Sequence, residues 1–287
     1  SAFFALTEYQ KAINDLGKTI DLDPKDTNAY VNRGKTYFLL GEFRNALNDF
    51  DRALRINPED ADILHSRGVV YINLGKYERA IQDLDTVLTL DSKHYRAFID
   101  RGNSYAALEK YQQAVFDYDE AIKLNPLATD AFIRRGDAYS LQGFQEQAIN
   151  NYDSAIAIDS DQSLAYNGRG TSWMDLGQFN KAFDDFTTAI ELSPRYVDAL
   201  VNRAGALLSL DLADRALADL DDAIKMDSQL PAAFANRAIA NMMLGRTYEA
   251  DMDVERAEKL GVDRTTLEAA LDQILAGTQE GTASQPP

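Results

Sequence analysis

Residues 27–60 read TNAYVNRGKTYFLLGEFRNALNDFDRALRINPED. Within them Tyr30, Gly34, Tyr37 and Phe38 fall at the i, i+4, i+7, i+8 spacing of one helix face, and Gly41 follows where a C-terminal cap belongs. Phe43, Ala46, Leu47, Phe50, Ala53 and Leu54 carry the same period into a second helix. Asn57-Pro58 ends it, because proline disfavours helix in the residue ahead of it. The stretch therefore predicts a helical hairpin. Gly34 and Ala46 are small enough to let two backbones approach, and Tyr30, Tyr37 and Phe50 fill the space beside them.

The same pattern returns along the chain at a spacing of 34: Arg33, Arg67, Arg101, Arg135, Arg169, Arg203 and Arg237. Each Arg is followed by a small residue, Gly34, Gly68, Gly102, Gly136 and Gly170, then Ala204 and Ala238. A second slot holds Ala46, Ala80, Ala114, Ala148, Ala182, Ala216 and Ala250, so chance does not account for the period. Sixteen residues after each Arg stands Asp49, Asp83, Asp117, Asn151, Asp185, Asp219 or Asp253. Regular burial of Arg demands a partner, so the pairs are expected to form a structural ion-pair ladder within or between repeats, not catalytic dyads.

Tyr30, Gly34, Tyr37, Gly41, Ala46, Phe50, Ala53 and Pro58 resemble the tetratricopeptide repeat (TPR) pattern, and the resemblance runs from about Thr27 to Arg264. It implies an all-α, right-handed superhelical solenoid of helix-turn-helix hairpins. Seven full repeats are expected at 27–60, 61–94, 95–128, 129–162, 163–196, 197–230 and 231–264. Residues 1–26 look like most of another, with Tyr9, Ala12, Leu16 and Pro24 in register with Phe43, Ala46, Phe50 and Pro58. That start inside a helix suggests a trimmed or processed N-terminus. Thr265 and Glu268 read as a capping box opening a C-terminal capping helix, 265–276, with Leu267, Ala270, Leu271, Ile274 and Leu275 as its apolar stripe before Gly277. Residues 277–287 lack apolar content and are expected to be a disordered tail, which places the natural C-terminus here.

Composition narrows the function classes. Of 287 residues, 29 are Lys or Arg and 46 are Asp or Glu, for a net charge of −17, the wrong sign for nucleic acid or an anionic membrane. No run of about 18 apolar residues exists to span a bilayer. There is no Cys, which removes thiolate nucleophiles, thiolate zinc sites and disulfides, and the two histidines, His65 and His94, show no metal-ligand spacing. P-loop, dinucleotide and nucleophile-elbow motifs are missing, so neither a catalytic centre nor a cofactor is expected. Acidic clusters such as Asp219, Asp221 and Asp222 read as solvated helix faces, and Trp173 as core filler in the slot of Tyr37.

The resemblance implies a concave groove lined by the first helix of each hairpin, with an extended peptide or a partner's helix as its ligand. Its expected side chains include Asn32 and Lys35, His65, Asn103, Asn167, then Val201, Asn202 and Leu208, and finally Asn236, Ile239, Met242 and Met243. Across all groove slots, Lys35, Arg96 and Arg134 face Asp62, Asp100, Asp130, Asp137, Asp175 and Asp198, so the groove is mildly acidic. Arg96 with Asp100 and Arg134 with Asp130 are spaced to neutralise one another. The slot in which TPR co-chaperones place a carboxylate-gripping Lys holds Val31, His65, Ile99, Ile133, Asn167, Val201 and Ala235 here. An acidic chaperone C-terminal tail is therefore not an expected partner. Asn32, Asn202 and Asn236 share one slot, and Asn side chains can donate to and accept from a peptide backbone. The last two full repeats, with Val201, Leu208, Ile239, Met242 and Met243, are the expected main site unless that apolar strip packs on the C-terminal helix or on another copy. Three functional readings stay open: an adaptor or scaffold, a homo-oligomeric platform using the groove or Phe3, Phe4 and Leu6, and the regulatory part of a longer protein extending before residue 1. No feature assigns a compartment.

Overall fold

The computed structural model describes the backbone of residues 2–272 and the side chains of residues 7–272. Among these residues there is no strand. The helices are α1 (Ala2–Leu22), α2 (Thr27–Leu39), α3 (Phe43–Ile56), α4 (Ala61–Asn73), α5 (Tyr77–Leu90), α6 (Tyr95–Ala107), α7 (Tyr111–Leu124), α8 (Thr129–Leu141), α9 (Gln145–Ile158), α10 (Ser163–Asp175), α11 (Phe179–Leu192), α12 (Val197–Ser209), α13 (Ala213–Met226), α14 (Pro231–Met243) and α15 (Thr247–Lys259). Residues 264–272 are also helical.

The chain forms two compact units, Ser1–Gln142 and Gly143–Pro287. In the first, α2 packs on α3, α4 on α5 and α6 on α7, and each hairpin leans on the next through α3 with α4, α5 with α6 and α7 with α8. In the second, α10 with α11, α12 with α13 and α14 with α15 repeat the arrangement, and α9 packs on α10. The expected hairpins at 27–60, 61–94, 95–128, 163–196, 197–230 and 231–264 each lie within one unit. Helices α8 and α9, which the sequence assigns to 129–162, belong to different units.

Local chemistry explains the breaks. Asp26 and Asp60 cap α2 and α4 by accepting backbone N–H bonds, and His94 does the same for α6 through Nδ1. The turn after each first helix needs one left-handed residue, supplied by Gly41, Gly75, Gly143, Gly177 and Gly245 after α2, α4, α8, α10 and α14. After α6 and α12 the same position is filled by Glu109 (φ 58°) and Asp211 (φ 59°), which take that conformation at a steric cost glycine avoids.

The small residues do what their spacing predicts. Ala46, Ala80, Ala114, Ala148, Ala182, Ala216 and Ala250 are all fully buried. A Cβ at Gly102 would stand 2.7 Å from the Tyr118 ring, and one at Gly170 2.6 Å from that of Phe186. Glycine is what lets the ring of the second helix lie on the backbone of the first. Trp173 packs against the core with Lys181 over its ring.

The Arg–Asp ladder forms, and it has a second acceptor the sequence reading did not contain. Arg33, Arg67, Arg101, Arg169, Arg203 and Arg237 each grip the buried Asp sixteen residues ahead through Nε and Nη2, at 2.6 to 2.9 Å. The remaining nitrogen, Nη1, reaches back sixteen residues to the preceding second helix: Arg67 to Asp51, Arg101 to Asp85, Arg135 to Asp119, Arg169 to Asp153 and Arg237 to Asp221. Arg203 uses the Thr187 hydroxyl there, at 3.3 Å. The ladder therefore runs both within and between repeats. Burial pushes the Asp117 and Asp185 carboxyls above the ordinary carboxylate range despite Arg101 and Arg169, while hydrogen bonds to those carboxylates hold the guanidinium pKa values up. Asn241, standing where other repeats have an aromatic, donates to Asp253 and joins its clamp.

At the C-terminal end, helix begins at residue 264 and Asp263 is its cap, accepting from the Thr266 backbone N–H at 2.9 Å. The capping box read at Thr265 and Glu268 does not form, because Glu268 instead accepts from Arg264 Nε at 2.7 Å. Leu267 and Leu271 are buried in a cluster with Phe234, Met242 and Val254. Ile274, Leu275, Gly277 and the expected tail lie outside the described residues.

Two outcomes follow for stability. Asp117→Ala, which strands a buried guanidinium, is expected to cost about 3–5 kcal/mol, Asp117→Asn less, and the half-exposed Asp85→Ala no more than about 1 kcal/mol, read by denaturant unfolding. Glu109→Gly and Asp211→Gly are each expected to raise stability by about 1 kcal/mol, whereas Gly41→Glu lowers it; thermal melts of the three variants check this.

Candidate functional site

In each unit the first helices of successive hairpins touch one another directly, α2 with α4, α4 with α6 and α6 with α8 in the first, α10 with α12 and α12 with α14 in the second. Every expected groove residue sits on one of these helices.

In the second unit the polar residues converge. Asn202 on α12 donates through Nδ2 to Asn167 Oδ1 on α10 at 3.0 Å. Beside them Gly205 leaves a gap, since a Cβ there would stand 3.9 Å from both the Met174 methyl of α10 and the Asn236 amide nitrogen of α14. Three Asn side chains thus occupy three neighbouring helices. The pair spends one acceptor of Asn167 and one donor of Asn202, so it still offers the Asn167 amide and the Asn202 carbonyl. Asn167, Asn202, Asn236, Leu208, Ile239 and Met243 are all partly exposed, and Leu164 at the start of α10 is exposed.

Two expected contact residues are placed elsewhere. Val201 is buried in the cluster of Leu200, Leu207 and Leu220, and Met242 in the one that also holds Leu267 and Leu271. Ile239 packs against the same cluster. Part of the apolar strip is therefore covered by the chain's own C-terminal helix, leaving Leu208 and Met243 as its more open members.

In the first unit Asn32 and Lys35 on α2 are exposed. His65 on α4 is tied by Nε2 to Asp100 Oδ2 on α6 at 2.7 Å, and its ring lies 4.7 Å from that of His94. Asp100 is thus engaged by His65 and not by Arg96, which donates to the Tyr95 hydroxyl. Arg134 likewise pairs with Asp137 at 3.4 Å, while Asp130 accepts from the Ala131 N–H. Asp100 thus finds its partner on the neighbouring helix, whereas Arg134 finds its own three residues on along the same helix. Asn103 accepts from the buried Tyr118 hydroxyl at 2.9 Å, and burial holds that phenol's pKa up. A cleft of about 400 Å³ lies between Asp62, His65, His94, Tyr95 and Arg96. Among the described residues no group of three or more His, Asp or Glu is placed to hold a metal ion. No helix of the described residues is long and apolar enough to cross a membrane.

The sequence reading missed Asp51, Asp85, Asp119, Asp153 and Asp221, the carboxylates that bind one arginine of the following repeat. Their signal was present as a second acidic slot two residues after the first.

The comparisons with known proteins agree with this geometry. Models described as tetratricopeptide repeat match residues 27–60 and 95–126, 50–82 and 167–231, and one described as TPR repeat matches 1–41. Among solved structures, the chain is similar to the APC/C hetero-tetramer Cut9-Hcn1, with TM-score 0.74 and 17% identity over 93% of this chain and 52% of that one. It is similar to a tetratricopeptide repeat protein from Parabacteroides merdae, with TM-score 0.67 and 19% identity over 87% of this chain and 98% of that one. It is also similar to yeast Tom70, with TM-score 0.63 and 19% identity over 97% of this chain and 60% of that one. The chain thus spans about half the length of the Cut9-Hcn1 chain it matches. No curated protein matches it. From the 34-residue period, the hairpins packed through small residues and these matches, the chain belongs to the tetratricopeptide repeat family.

Proposed function

We propose that this chain is a non-catalytic interaction scaffold whose first-helix face in residues 163–243 holds an extended peptide or a partner's helix. The observation that carries the reading is the Asn167–Asn202 pair with Asn236 on the next helix. Paired amides keep one donor and one acceptor each way, which suits a ligand whose own backbone offers both, and it leaves the recognition tolerant of sequence. The half-exposed Met174, Leu208 and Met243 beside them supply adaptable apolar contact. The first-unit face adds Lys35, His65 and Asn103 as further polar contacts on the same class of surface. An acidic tail is disfavoured, because the lysine positions that would grip its carboxylate are occupied by Val31, His65, Ile99, Ile133, Asn167, Val201 and Ala235.

The test is affinity capture from the source extract with the natural chain and with Asn202→Ala plus Asn236→Ala. A partner retained by the natural chain and lost from the double variant is the expected outcome. Equal capture by both, or capture of this chain alone, contradicts the Asn face as the site and favours self-association. Calorimetry with an acidic chaperone C-terminal peptide is expected to show no micromolar binding at the Asn face, and micromolar binding that Asn202→Ala plus Asn236→Ala abolishes would overturn that exclusion.

A further inference from the structure

The repeat supplies its own standard for what surrounds a clamp arginine, and one arginine departs from it. Nη1 of Arg67, Arg101, Arg135, Arg169 and Arg237 is met by a carboxylate from the preceding second helix, and that of Arg203 by a hydroxyl. Sixteen residues before Arg33 the corresponding position on α1 is Gly17. A Cβ built at Gly17 would stand 3.7 Å from Arg33 Nη1, so this nitrogen faces the place where an acceptor side chain enters in the other repeats. It has no acceptor among the described residues. Its orientation is nonetheless fixed, because Nε and Nη2 are both held by Asp49 at 2.8 Å.

The nitrogen belongs to a polar cleft of about 640 Å³ between α1, α2 and α3, which Arg52 and Arg55 also line. Neither of these makes an ion pair among the described residues. Of the carboxylates lining the cleft, Asp49 is taken by Arg33 and Asp51 by Arg67, which leaves Asp21 as the one without an ion pair among the described residues. The cleft therefore has more cationic than anionic capacity to spare, in a chain whose net charge is −17.

We propose that the Arg33 cleft is an oxyanion-binding site, in which a carboxylate or phosphate oxygen takes the position that Asp51 takes on Arg67 and Asp85 on Arg101. Those two contacts, at 2.7 and 2.6 Å, show the geometry the ligand adopts. A guanidinium already locked by a bidentate carboxylate loses little rotamer freedom on accepting a further oxygen. Arg52 and Arg55 favour an anion carrying two or more charges. The acidic remainder of the chain opposes binding only weakly at ordinary ionic strength, where charges beyond about 10 Å are screened. The site lies on α1–α3 and makes no use of the Asn167–Asn202 face, so it stands or falls separately from the proposed peptide site.

The full chain is to be melted with inorganic phosphate and, separately, with the blocked peptide acetyl-Glu-Glu-Glu-amide, at an ionic strength held constant with sodium chloride. Three versions are compared: natural, Gly17→Ala, which removes the helical glycine without adding charge, and Gly17→Asp, which supplies the carboxylate from within. The natural chain and Gly17→Ala are expected to gain about 2 °C or more in Tm with a saturating probe. Gly17→Asp is expected to melt above Gly17→Ala without the probe and to show no gain with it. A response to phosphate alone supports a free anion as the ligand, and a response to the peptide supports an acidic segment of a partner. No response to either probe, or a gain in Gly17→Asp equal to that in Gly17→Ala, overturns the proposal. If Gly17→Asp does not fold, Arg52→Gln plus Arg55→Gln serves instead, with loss of the response expected and an unchanged response contradicting the site.

Discussion

One guanidinium held between two acceptors on consecutive second helices is the interaction on which both units are built. In the hairpin that starts at Tyr95, Arg101 leaves α6, grips Asp117 on α7 with two nitrogens and reaches Asp85 on α5 with the third. The geometry explains why Arg is used and not Lys: only a planar fork reaches a bidentate partner and a second carboxylate at once. It also explains the adjacent glycine. The Arg backbone must lie close to the second helix for the fork to reach, and Gly102 permits that approach where a Cβ would strike the Tyr118 ring. A buried pair of this kind is weak evidence for net stability, since removing two charges from water offsets much of their attraction. Its role is better read as setting register, because each arginine accepts only a helix that presents its carboxylate at the right height. Stability in such an array is close to a sum of repeat and neighbour-interface terms, so a clamp that spans the interface acts on the coupling between repeats.

Much of this was legible in the sequence because the period repeats the same physical problem every 34 residues. The helix breaks at Gly41 and Pro58, the small residues at Gly34 and Ala46 and the pairing of Arg33 with Asp49 could all be read from spacing. What escaped were properties that depend on which helix lies next to which. Asp221 was read as part of a solvated helix face because its partner, Arg237, lies in the following repeat. Asp100 was assigned to Arg96 on its own helix, whereas His65 on the neighbouring helix holds it. Val201 and Met242 occupy slots that face the groove in the family pattern, yet local packing buries them, Met242 in the same cluster as Leu267 and Leu271. The expected capping box failed for a similar reason: Asp263, two residues earlier, is the better placed acceptor.

The two surfaces that carry the functional readings follow from where the repeat is imperfect. A perfect slot satisfies its own hydrogen bonds. Asn167, Asn202 and Asn236 are not used by the clamp and so keep donors and acceptors to offer, and Gly205 keeps the surface between Met174 and Asn236 open. Gly17 breaks the ladder at its first step and leaves one arginine nitrogen unanswered. Both proposals place binding capacity where the sequence stops meeting the demands of the fold.

The most direct measurement of the central claim is hydrogen exchange, resolved helix by helix, in the natural chain and in Arg101→Leu. Exchange is expected to accelerate in both α5 and α7, the helices bearing Asp85 and Asp117, while α13 is unchanged. Acceleration confined to α7, or spread evenly through the chain, would contradict the reading of the arginine as the tie between one repeat and the next.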